Sequence, residues 1–165
     1  MKNETNQQNN RNQSVQFGRA IFTGFIGGIF WSAAGMLMYY FNFIEVPIKS
    51  FVLTFWTKAP WTQNWVGDLV SIFLVGLLSI GIAIIYYGLL KKRNSMWVGF
   101  WFGIGLWFIV FYFLNSILNN VPSLTELENK TIVSTLSLYS LYGIFVGYSI
   151  SFDYNDNRVA VRQEE

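Results

Sequence analysis

Charged side chains are missing from four long apolar stretches of this 165-residue chain: Ala20–Ile44, Leu69–Leu90, Asn94–Thr125 and Thr131–Phe152. The shortest of them holds 22 residues, and about 20 apolar residues are enough for a helix to cross a bilayer core. The pattern predicts an all-α polytopic membrane protein, a bundle of four transmembrane helices over about residues 17–43, 65–90, 95–118 and 124–152. The first run exceeds the roughly 7–15 residues of a signal peptide's apolar core. Its small residues Ser32, Ala33, Ala34 and Gly35 also lie within the run rather than after it. A retained helix is therefore expected.

The connection between the first two stretches has its own period. Ile48, Phe51, Val52, Phe55 and Trp56 follow Pro47 at helical spacing, on one face of a helix. Lys49, Thr54, Thr57 and Lys58 take the other side, and Pro60 ends the run. At about 12 residues the element spans only ~18 Å, too short to cross. It reads as an amphipathic helix over about 47–58 lying in the membrane interface, with its lysines reaching toward water. A re-entrant segment is the alternative.

Small residues mark helix contacts. Gly24 and Gly28, extended by Ser32, form a GxxxG face, as do Gly99 with Gly103 and Gly143 with Gly147. Such faces let another helix backbone come close. For the first pair, a neighbour in the same chain is a simpler expectation than a second copy. The short turn at Lys91–Arg93 predicts that the second and third helices are antiparallel neighbours. Asn115, near the end of the third helix, is read as an inter-helix hydrogen-bonding group. Ser123 and Glu126 form a capping-box pattern that would start the fourth helix at Leu124.

Composition and charge sharpen this outline. Hydrophobic residues make up 53% of the chain and charged ones 12%, against about 25% charged in soluble domains. Residues 1–16 are Asn/Gln-rich and almost without apolar side chains, so a disordered tail is predicted there. Residues 153–165 read as a second polar tail. Lys2, Arg11, Arg19, Lys91, Lys92, Arg93, Arg158 and Arg162 fall on the side of the termini, and Lys49, Lys58 and Lys130 on the other. The side richer in Lys and Arg is normally cytoplasmic. A multi-pass protein of the cell membrane with both termini cytoplasmic is expected. The net charge of +2 is too small to suggest nucleic-acid binding.

Candidate chemistry is sparse. The chain has no Cys and no His, which removes thiol nucleophiles, imidazole bases and Cys/His zinc sites. No ionisable Asp, Glu, Lys or Arg lies within the four stretches, although such groups commonly mark proton-coupled transport. Glu45 and Asp68 sit at the interface, where Asp68 suits the positive end of a helix dipole. Tyr39, Tyr40, Tyr86, Tyr87, Tyr112, Tyr139, Tyr142 and Tyr148 read as interface anchors. Asp153, Asn155, Asn157 and Glu164 have the spacing of calcium-loop ligands, but Arg158 stands where that loop needs Gly. No catalytic, cofactor-binding or metal-binding residue is expected.

The stretch Thr125–Tyr154, and within it the run GYSISFDY at Gly147–Tyr154, resembles the last segment of the YqhR family of small membrane proteins from Bacillus-type bacteria. The Phe17-Gly18 pair and the aromatic third helix are compatible with it. The resemblance implies a plasma-membrane location in a Gram-positive cell. No chemistry is attached to its motifs, so no functional residue follows from it. The residues themselves point to a non-enzymatic membrane component that packs with itself or with another membrane protein. A transporter or channel for a small uncharged or hydrophobic solute is the alternative. An enzyme acting on lipid would have to rely on Glu45 or Asp68.

Overall fold

The computed structural model describes the backbone of residues 2–53, 59–90, 93, 95–114 and 126–163, and of these the side chains within 14–112 and 126–155. Among the described residues five helices follow one another: α1 Lys2–Tyr40, α2 Ile48–Val52, α3 Trp65–Leu90, α4 Met96–Phe108 and α5 Asn129–Gln163. A 3-10 turn, Pro60–Gln63, precedes α3, and a π-helical turn, Ile109–Leu114, continues α4. No strand occurs among the described residues. Among the described residues three segments are long and apolar enough to cross a membrane, Ser14–Tyr40, Trp65–Leu90 and Asn129–Asn155, while Met96–Tyr112 is a shorter apolar helix.

The helix limits differ from the predicted ones in ways that local chemistry explains. α1 begins at Lys2 rather than near residue 17, so the segment expected as a disordered tail is helical. It holds no Gly or Pro before Gly18, and extending a helix from an existing one costs far less than nucleating it. The C-terminal segment behaves alike, with α5 running to Gln163. At its other end α1 stops at Tyr40 in a Schellman turn. Phe43 N–H donates to Met38 O at 2.9 Å and Asn42 N–H to Tyr39 O at 3.0 Å, while Asn42 takes the left-handed φ of 61° that this turn requires. α5 starts at Asn129, five residues after the expected Leu124. Ser123 and Asn115, and with them the proposed cap and inter-helix bond, lie outside the described residues.

Glycines decide which helices pair. A Cβ on Gly24 would lie 2.9 Å from Ser79 O, and one on Gly28 2.9 Å from Gly76 Cα, so the first GxxxG face lies against α3. A Cβ on Gly99 would lie 2.6 Å from Gly143 O, and one on Gly147 2.8 Å from Gly99 Cα, so the other two faces pack on each other. All three faces are filled within the chain. α1 also packs against α5, which joins the α1–α3 and α4–α5 pairs. α3 and α4, expected as antiparallel neighbours, touch less closely than the pairs that glycines bring together. Their described contact is made by side chains such as Tyr86 and Phe102, ring centroids 4.9 Å apart, because each backbone is drawn to another partner by glycine.

The buried centre divides into two clusters. Ala20, Ala83, Tyr86, Leu106, Tyr142, Val146 and Ile150 fill the half of the bundle nearer the termini. Val46, Trp107, Phe111 and Leu127 fill the half nearer the 41–64 connection.

Candidate functional site

Between these clusters lies a cavity of about 210 Å³, with walls from α1, α3, α4 and α5 and a cover from the connection. Gly28, Trp31, Ser32 and Gly35 form the α1 wall, and Val75, Leu78, Ser79 and Ile82 the α3 wall. The glycines leave room there that side chains would fill. Opposite, Leu106, Val110 and Phe111 come from α4 and its π turn. A π turn adds a residue to the turn and re-aims the side chains around it, a local device common at functional sites.

The cover is the segment Ile44–Leu53. Ile44, Val46, Ile48, Phe51 and Val52 all face the cavity, and Phe51 meets the Phe111 ring edge-on at 5.5 Å. This differs from the expected interfacial helix. Only Ile48–Val52 is helical among the described residues, and its apolar side lies on the bundle rather than on lipid. Phe55, Trp56 and Lys58 lie outside the described residues.

Two polar latches hold the cover. Lys49 Nζ lies 3.1 Å from Asp68 Oδ1 and donates to Gln63 O at 3.1 Å, and Tyr40 Oη donates to Asp68 Oδ2 at 3.0 Å. Lys49 therefore turns inward, where the sequence suggested a lysine reaching for water. On the other side, Glu128 N–H donates to Glu45 Oε2 at 3.3 Å, and Glu45 N–H donates to Thr131 Oγ1 at 3.2 Å. Glu45 thus caps the start of α5 from across the chain, a favourable place for a carboxylate. The Lys130 ammonium and then the Glu45 contact hold the Glu128 carboxyl below the usual carboxylate range. Both carboxylates considered for lipid chemistry are thus engaged in holding the cover.

Among the described residues no charged side chain lines the cavity, and the polar groups there are nearly all committed. Ser32 donates to Ile29 O at 3.0 Å and Ser79 to Gly24 O at 2.6 Å. Tyr142 shares a short hydrogen bond with Ser79. Thr135 donates to Thr131 O at 2.7 Å and accepts from Trp107 Nε1 at 3.0 Å. Trp31 Nε1 is sealed off without a partner.

This site is hidden at the level of sequence, because tyrosines near helix ends read as interface anchors. Tyr112 and Tyr148 are exposed, as anchors should be, but Tyr86 and Tyr142 are buried and Tyr139 lines the cavity. A signal was present: Thr131, Thr135, Tyr139 and Tyr142 recur at helical spacing on one face of an otherwise apolar stretch. The calcium-loop pattern does not form a loop. Asp153 and Asn155 lie on α5, where Asp153 pairs with Arg19 at 3.3 Å and Asn155 donates back to Ser151 O at 3.0 Å. No cluster of potential metal ligands occurs among the described residues.

Over residues 1–165 the chain matches the family described as "Conserved membrane protein YqhR". It is 42% identical over 139 residues to the "Uncharacterized protein YqhR" of Bacillus subtilis (strain 168), covering 84% of this chain and 78% of that protein. No solved structure matches.

Proposed function

The chain belongs to the YqhR family of conserved membrane proteins, and on that premise we propose that it is a non-enzymatic membrane component holding a small uncharged or hydrophobic solute within its bundle. The observation that carries this reading is the roughly 210 Å³ cavity, whose described lining is apolar with a few fixed polar groups and no charge. Ligand sites have this make-up. An engineered apolar cavity of about 150 Å³ already binds benzene. Leu78 lines the cavity and yet is 61% exposed, which supports access from the bilayer between α3 and α4. Packing with another copy or another protein, the reading the sequence favours, draws on three GxxxG faces that are occupied internally, so they lend it no support.

The same proposal takes Met96–Tyr112 and its continuation as a fourth crossing, in a cell membrane, with both termini cytoplasmic. The excess of Lys and Arg at the termini and at Lys91–Arg93 supports this. Since the chain has no Cys, single cysteines placed at Lys92 and at Ser50 can be labelled in intact cells with an impermeant maleimide. Labelling at Ser50 and protection at Lys92 is expected, and the reverse pattern defeats the orientation.

The binding reading is tested with 4-fluorotoluene, an apolar probe followed by fluorine NMR in detergent. Saturable broadening beyond that in empty micelles is expected, and Val52→Phe, which takes up cavity space, should weaken it severalfold. Identical spectra with and without the purified protein would defeat it.

A further inference from the structure

We infer that the Tyr139 hydroxyl is the anchor for a single polar group on the occupant, so that the cavity takes a small neutral molecule with an apolar body and one carbonyl or hydroxyl. This rests on the binding reading above and extends it to the chemistry recognised.

Ser32, Ser79, Thr131, Thr135 and Tyr142 around the cavity all have partners in the protein. The Tyr139 hydroxyl has none among the described residues, and it is not one of the sealed polar atoms. Trp31 Nε1 also lacks a partner, but it has no accessible surface and stays out of an occupant's reach. Inside a bilayer an unmatched polar group is costly, because bulk water does not satisfy it. Tyr139 nonetheless keeps a place on the cavity wall, held there against the Phe111 ring at 6.2 Å. A hydroxyl donates and accepts, so it suits either a carbonyl or an alcohol. With no charged side chain among the described wall residues, the cavity gives no compensation to an ionised ligand. Its volume suits a body of about ten non-hydrogen atoms, judged against the benzene-sized case.

Two probes of the same shape separate the parts of this proposal. 4′-Fluoroacetophenone carries a carbonyl where 4-fluoro-α-methylstyrene carries a methylene, and both are titrated by fluorine NMR against the full chain in one detergent. After correction for micelle partitioning, the wild type should prefer the ketone by about fivefold, the size of one neutral hydrogen bond. Tyr139→Phe, which removes only the oxygen, should abolish the preference and leave styrene affinity within twofold. Trp31→Phe should keep it. Equal affinity of the wild type for the two probes overturns the role of Tyr139 while leaving the binding reading intact. Binding of neither probe overturns both. A ketone preference that survives Tyr139→Phe and disappears in Trp31→Phe overturns the choice of anchor.

Discussion

Lys49, within the connection between the first two long helices, and Asp68, in the first turn of α3, form an ion pair at 3.1 Å with only 16% and 12% of their side chains exposed. Tyr40 adds a hydrogen bond to the same carboxylate, so one acidic group ties the end of α1, the cover and the start of α3 together. Removing one partner of a buried pair leaves the other charge uncompensated and costs roughly 3–5 kcal/mol. Lys49→Ala and Asp68→Ala should each lower stability toward that range. The double variant Lys49→Met/Asp68→Leu should recover part of the loss, since no charge is then stranded. Thermal unfolding in detergent reads both effects, and strictly additive losses would refute the coupling.

Glycines of one helix carry opposite expectations. Gly76 in α3 meets α1, with a substituted Cβ 2.9 Å from Ile29 Cγ1, whereas Gly81 has nothing within 4 Å. In the other pair, a Cβ on Gly143 would lie 2.6 Å from Gly103 Cα, a backbone atom that a rotamer change does not move aside. Gly143→Leu should cost at least the roughly 1–3 kcal/mol of an overpacked core. Gly81→Ala should be neutral or stabilise by up to about 1 kcal/mol through helix propensity. Melting temperatures of the two variants give the comparison, and a Gly81→Ala loss as large as that of Gly143→Leu would contradict the assigned faces.

Much of this arrangement is legible in the residues. The charge-free runs locate the three long spans, and the glycine spacings identify faces that do meet helices. Partner choice is not legible, because a GxxxG face does not name its mate. The short Lys91–Arg93 turn suggested α3 against α4, but tight glycine contacts outrank chain proximity once helices can approach in either order. The cavity was hidden for a related reason. Tyr139 is apolar in body and polar at its tip, so composition alone fits both an interface and an interior. Only the pairing of helices places it on the cavity wall. The inward turn of Lys49 likewise depends on Asp68, 19 positions further along the chain.

Asn42 ends α1 in the left-handed region with φ of 61°. Asn tolerates that conformation and Gly does so without a Cβ penalty, whereas a β-branched residue does not. Asn42→Gly should leave stability within about 0.5 kcal/mol, and Asn42→Val should lower it by roughly 1–2 kcal/mol. Because the turn launches the cover, Asn42→Val should also quicken tryptic cleavage at Lys49. Equal cleavage rates in the two variants would show that the turn does not hold the cover in place.

Acid should loosen the second latch. The Lys130 Nζ lies 2.7 Å from Glu128 Oε2, and the Glu128 carboxyl is held below its usual value of 4.5, by Lys130 first and Glu45 second. A carboxyl with a lower pKa in the fold than in the unfolded chain adds stability above its unfolded pKa. That contribution is lost as pH falls through the folded value. The melting temperature should therefore decline slightly on acidification below pH 4.5, and Glu128→Gln should flatten that part of the profile. High salt should flatten it too, because both partners are exposed. An unchanged acid limb in Glu128→Gln would assign the decline to other carboxylates.

The floor of the cavity yields the last prediction. Ser79 donates to Gly24 O at 2.6 Å, so in its short bond with Tyr142 the tyrosine is the donor. The relay bolts α5 to α3 and α3 to α1 in a region without charge. Tyr142→Phe removes one bond, while Ser79→Ala removes the bond to Gly24 as well and strands the tyrosine hydroxyl. Hydrogen bonds between membrane helices average about 0.6 kcal/mol and reach about 1.7 kcal/mol. Ser79→Ala should therefore cost more than Tyr142→Phe, by roughly 1 kcal/mol. In the double variant the loss should fall short of the sum, since the stranded hydroxyl is gone. Unfolding in a graded detergent series measures all three. A Tyr142→Phe loss equal to that of Ser79→Ala would mean that the Gly24 bond contributes nothing, and the relay would reduce to a single α3–α5 contact.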